Sequence, residues 1–185
     1  MVSTATASTI TETVRVHRRR YRWPAAQLNF WLFIMLVGSC VNLGIFAYFM
    51  TVQSQLQLPT PWYFPYWVTV GSLSVLFIWT ILWLINQRNL LPGIVLLGSF
   101  ILFVLWLVGL IAIAIQLWGP SGSVNSNCNL YVNDQAVSGV SVGTLAYLEQ
   151  HSICQSWEAA WAFELVGVIF LIWMMIMSYQ VHSTD

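Results

Sequence analysis

Three features predict an all-α integral membrane protein, a four-helix transmembrane bundle with a disulfide-stapled outer loop between helices 3 and 4. The chain has four apolar stretches of membrane-spanning length, a composition too apolar for water, and arginines confined to one side. Of its 185 residues, 58% are hydrophobic and 6% charged, whereas a soluble domain carries roughly 25% charge. Such a chain cannot cover its surface with polar groups, so lipid is its main solvent. Six basic residues, all Arg, balance six acidic ones. That balance makes no case for a nucleic-acid partner.

Residues 1–24 form the first segment. Its opening dozen residues are rich in Ser and Thr and read as a disordered tail. Arg15, Arg18, Arg19, Arg20 and Arg22 then abut the first span. Positive residues are retained on the cytoplasmic side during insertion, so this segment is expected to be cytoplasmic. The cluster reads first as a topology anchor. It also offers contacts to anionic lipid headgroups, worth at most about 1 kcal/mol per Arg. No Gly follows Met1, so N-myristoylation is not indicated.

The membrane domain is expected over 25–179, with spans at about 27–51, 62–86, 93–118 and 157–179. About 20 apolar residues cross the roughly 30 Å hydrocarbon layer. The first span is too long for a signal-peptide core, and no small-residue cleavage site follows it, so it is expected to be retained. Asn42 lies within it. Cys40 lies there too, too deep for palmitoylation, where a thiol acts as a small hydrophobe. The second and third spans are uncharged, and Arg88 lies in the short loop between them. Four spans put Arg88 on the same side as the N-terminal cluster, as the positive-inside rule requires. A short tail, 180–185, is then also cytoplasmic, and a multi-pass plasma-membrane location is expected.

Trp and Tyr mark the interfaces. Trp23, Trp83 and Tyr179 fall at one set of span ends. Tyr48, Trp62, Tyr63, Tyr66, Trp67, Trp118, Trp157 and Trp161 fall at the other. Trp79 and Trp106 are deeper, placed to pack between helices or against acyl chains. Gly38, Gly44, Gly71, Gly98, Gly109, Ala160 and Gly167 allow close helix approach but form no strict GxxxG, which suits internal bundle packing.

The outer loop, 119–156, is the one sizeable soluble piece. It opens on the turn-rich run Gly119-Pro120-Ser121-Gly122-Ser123. A short extended piece is expected over Asn129–Val132, continuing past the turn Asn133-Asp134 into Ala136-Val137 as a small hairpin. A helix is expected from about Thr144 toward the fourth span. Cys128 and Cys154 are the loop's two cysteines, and an oxidising compartment makes their pairing the default. The closure would contribute roughly 3–4 kcal/mol in the chain-entropy model. The loop has no N-glycosylation sequon.

The fourth span alone carries acid. Glu158 belongs to the interface. Glu164 lies about two turns in, roughly 10 Å below the outer boundary, where an ionisable group is costly and faces protein or water. Asn42 is expected at similar depth, within hydrogen-bonding range of Glu164 in a packed bundle. One reading makes this polar contact a binding feature for a partner helix or lipid headgroup. The other makes Glu164 a structural carboxyl, protonated or hydrogen-bonded.

Enzymatic chemistry finds no support. No span holds a His for a haem, and there is no CxxC, carboxylate pair, nucleophile–His–acid set or phosphate-binding loop. His151 is one ligand beside the cysteines, short of the three or four a metal needs. No cofactor is therefore expected. Uncharged spans also leave a proton or ion relay without stepping stones.

The stretch Cys154-Gln155-Ser156-Trp157-Glu158-Ala159-Ala160-Trp161-Ala162-Phe163-Glu164 resembles the entry to the fourth span of MARVEL-type four-span proteins, especially fungal ones. The short loops and cytoplasmic ends resemble that layout over the whole chain. Glu164 and the length of the outer loop depart from it. Tetraspanins differ by their Cys-Cys-Gly motif, and claudin-like proteins by cysteines in the first outer loop. The resemblance implies a non-enzymatic role: organising membrane domains, or acting as an accessory subunit of a larger membrane protein. The partners implied are membrane lipids and either a larger membrane protein or further copies of the chain. The alternative is a small transporter or channel component using Glu164.

Overall fold

In the computed structural model, the described residues are 23–57, 59–87, 91–120, 123–130 and 142–183. Among the described residues five helices form: α1 (Ala25–Gln55), α2 (Tyr63–Asn86), α3 (Pro92–Trp118), α4 (Val124–Cys128) and α5 (Val142–Ser183). α1, α2 and α3, with the part of α5 from Tyr147, are long and apolar enough to cross a membrane. The chain is a multi-pass integral membrane protein.

Proline and glycine set most helix ends. α1 follows Pro24 and stops near Gln57, whose φ of 54° is left-handed. Pro59 and Pro61 follow, and residues before proline are steered away from helix. Pro92 occupies the first turn of α3, where its missing N–H is no loss. Gly119-Pro120 ends that helix. Ser123 caps α4 by accepting from the Ser126 backbone N–H at 3.2 Å.

α5 begins at Val142, close to the helix start expected at about Thr144, and continues into the fourth span. It runs unbroken for 42 residues, or ~63 Å at 1.5 Å per residue, about twice the hydrocarbon thickness. The expected fourth span therefore continues a helix that begins well inside the outer loop. Nothing between Thr144 and Val166 is Gly or Pro, so nothing breaks it. Asn129 likewise is helical (φ −66°, ψ −44°) rather than extended. The remainder of the expected hairpin, including Tyr131, Val132, Ala136 and Val137, lies outside the described residues.

The long helices pack in a ring. α1 lies against α2 and α5, and α3 lies against α2 and α5. Buried residues follow three- and four-residue steps on each, as in left-handed bundles. On α1 these include Trp31, Met35, Ser39, Asn42, Phe46 and Phe49. On α3 they include Val95, Ser99, Leu102, Trp106, Gly109 and Ile113.

Cys128 and Cys154 are disulfide-bonded, their Cα atoms 6.0 Å apart. The bond ties α4 to the part of α5 that extends beyond the bundle. α4 also rests on α3, so the staple anchors the loop to two helices.

Candidate functional site

The bundle core near the disulfide end is aromatic. Phe46 stacks on Trp67 (centroids 5.8 Å, 12°), and Phe49 stacks on Trp157 (5.5 Å, 24°). Phe64 touches Phe46, Phe49 and Trp157. Trp67 and Trp157 are thus core rings, not the interfacial anchors their sequence positions suggested. Both faces of a membrane helix are apolar, so the ring carbons near a span end can turn inward at no hydrophobic loss, although the Trp67 Nε1–H is left without a partner. Trp62 and Trp118 do face outward.

Trp106 occupies mid-bundle, fully buried. Its Nε1–H donates to Ser74 Oγ at 2.9 Å, and its ring stands edge-on to Trp67 at 5.5 Å. Two glycines make room for these indoles. A Cβ at Gly167 would collide with the Trp106 ring, and one at Gly109 with Trp67. Gly38 and Gly71 also face helix neighbours, whereas Gly44 has no atom within 4 Å of its Cβ position and serves no packing contact. Of the two deep tryptophans, Trp106 packs between helices and Trp79 faces outward. Cys40 is also exposed on the outer face.

Glu164 and Asn42 lie between these two aromatic levels. Glu164 sits three residues before Gly167 and seven after Trp157 on α5. Asn42 is one turn from Phe46 and three residues from Ser39, whose carbonyl faces Gly71. Both side chains are fully buried. Tyr66 on α2 lies within electrostatic reach of Glu164, and its hydroxyl donates to the Leu105 carbonyl at 2.8 Å.

The expected bond between Asn42 and Glu164 is not formed. Both oxygens of Glu164 and both polar atoms of Asn42 lack a hydrogen-bond partner, as do Ser39 Oγ and Trp67 Nε1. Large rings above and below hold the four helices at spacings set by indoles, which leaves the shorter polar side chains unpaired. Because Glu164 and Asn42 are sealed, neither faces the lipid or a helix outside the bundle in this arrangement. Glu158, by contrast, is exposed.

Sequence reasoning did not single out Ser39, Ser74 or the indole of Trp106 as members of this layer. Ser39, three residues before Asn42, and Ser74, three after Gly71, carry the signal in their spacing, whereas Trp106 on α3 has no such mark. Arg15, Arg18, Arg19, Arg20, Arg22 and Arg88 lie outside the described residues. Among the described residues, no group of three or more His, Cys, Asp or Glu could hold a metal.

Comparisons with protein-family profiles, with curated proteins and with solved structures find no match to this chain. What stands is a set of four long apolar helices consistent with a four-span membrane protein.

Proposed function

We propose that this chain is a non-enzymatic membrane protein that organises its surroundings or serves as accessory subunit of a larger membrane protein, as MARVEL-like proteins would. One observation carries the reading. Within the spans Asn42 and Glu164 are sealed inside a packed bundle, and the outward hydroxyls of Thr69, Ser72 and Thr80 bond back to carbonyls of their own helix, while the outward surface is a broad field of aliphatic and aromatic side chains such as Phe33, Leu76, Trp79, Leu97, Phe100 and Ile169. Chemistry needs accessible functional groups, whereas association in a bilayer needs faces that pack. The α5 extension, braced by the disulfide, adds a rigid contact surface beyond the bundle.

In this reading both termini are cytoplasmic, the disulfide end faces outward, and the membrane is the plasma membrane. Glu164 tunes the bundle from within and does not dock a partner.

Gentle solubilisation tests the proposal. Affinity purification in several mild detergents should retain a larger membrane protein or a homo-oligomer in stoichiometric amount. Recovery of a clean monomer in all of them would refute it.

A further inference from the structure

The seam between α1 and α5 is held at two levels. Toward the chain termini, Trp31 Nε1–H donates to the Phe170 carbonyl at 2.7 Å, and Phe30 meets the Phe170 ring at 5.9 Å. Toward the disulfide, Phe46 and Phe49 both pack on Trp157. Between these contacts the seam gapes. A pocket of about 150 Å³ lies there, floored by Trp106 with Gly38 and Gly167 beside it. Phe33, Val37, Phe163 and Val166 form the rim. Phe33 is 63% exposed and Val166 39%, so the pocket opens on the bilayer side.

The gap has a plain cause. Gly167 must lack a side chain because Trp106 fills the space above it, and Gly38 lacks one opposite. A Cβ at Gly38 would only just reach Trp106 and Phe163, at 3.9 and 4.0 Å, so the space beside Gly38 stays open in front of the indole.

We propose that this pocket is a binding site for the hydrocarbon tail of a membrane lipid. The lining offers no charged side chain, so no headgroup is recognised. The site lies at mid-span, thirteen residues beyond the start of α1 at Gly38 and ten past Trp157 at Gly167, a depth where lipid tails are the surrounding solvent. An apolar cavity of about this size stays dry and accepts a ring or a short run of methylenes. The contacts that close the seam above and below leave no continuous groove for a partner helix. Filling the void restores dispersion contacts that its walls otherwise lack. This inference requires only that the chain span a membrane, and it stands or falls independently of the accessory role.

The test uses the full-length protein in phosphatidylcholine nanodiscs, the lipid carrying a photoactivatable diazirine near the methyl end of one acyl chain. After irradiation, adducts are mapped by peptide mass spectrometry. Adducts at Phe33, Val37, Phe163 and Val166 should exceed, by about tenfold per residue, those at Leu97, Phe100 and Ile101 on the exposed face of α3; that margin lies within what filling a void of this size supports. Val166→Trp and Val37→Trp each plug the pocket from its rim. Either should bring the yield at Phe33 and Phe163 down to the α3 level while leaving the α3 yield unchanged. Adducts in proportion to exposure would overturn the proposal. So would unchanged enrichment in both plugged variants, or cross-links to a second copy of the chain in place of lipid.

Discussion

Replacing Glu164 by methionine is expected to stabilise the protein. The side chain is fully buried, and neither carboxyl oxygen has a hydrogen-bond partner. A buried polar group left unpaired costs about 1–3 kcal/mol. Methionine keeps the unbranched shape and removes both polar atoms, and a volume-conserving swap introduces less than about 1.5 kcal/mol of repacking strain. The balance favours Glu164→Met by about 1 kcal/mol, roughly a fivefold rise in the folded-to-unfolded ratio. Glu164→Gln retains the shape and the unpaired polar atoms, so it should gain little. Reversible unfolding in mixed micelles, titrated with dodecyl sulfate and followed by tryptophan fluorescence with the disulfide intact, measures all three forms. If Glu164→Met is less stable than the parent by more than about 1 kcal/mol, the carboxyl has a partner inside the bundle and the sealed, unpaired layer is the wrong description. A gain would mean that Glu164 is kept at the expense of stability, as groups retained for function often are.

Other consequences follow from the same contacts. Gly167→Ala forces a Cβ into the Trp106 ring, which its bond to Ser74 and its edge contact with Trp67 hold in place. Overpacking of about 1–3 kcal/mol should outweigh the roughly 1 kcal/mol gained in helix propensity. Gly44→Ala, with nothing near its Cβ position, should instead raise the melting temperature, and equal effects at the two sites would contradict the packing. Trp31→Phe removes the bond to the Phe170 carbonyl and should cost about 0.5–1.5 kcal/mol by the same unfolding assay. Cys128→Ser frees a closure spanning 26 positions, worth about 3–4 kcal/mol in the chain-entropy model. Protease should then cut between α4 and the bundle faster than in the parent, while the spanning helices stay protected.

Much of this architecture is legible in the sequence. Long apolar runs with few or no charges pointed to four spanning helices, because lipid tolerates no unpaired backbone and demands continuous helix. Two cysteines in one outer loop left a single pairing there. The start of α5 was partly legible. A polar stretch with Glu149, Gln150, His151 and Gln155 lowers hydropathy and looks like loop. Yet it contains neither Gly nor Pro, and that absence was the usable sign of a continuous helix.

The inward faces were not legible, and the reason is physical. In water, a helix shows its core face by contrast with a polar one. Here acyl chains are as apolar as the interior, so sequence periodicity carries little contrast. Trp79 and Trp106 look alike in sequence, but one faces outward and the other is fully buried. Steric fit decided between them: Gly167 is placed to receive the Trp106 ring, while Gly109 receives Trp67. The same fit left Asn42 and Glu164 unpaired, although their depths alone suggested a bond. Thus the sequence by itself determined the number of spans and the loop pairing, through length, hydropathy and cysteine count. Only the tertiary structure decided which rings fill the core, which polar groups are sealed, and where the α1–α5 seam opens, because those depend on shape matching between helices.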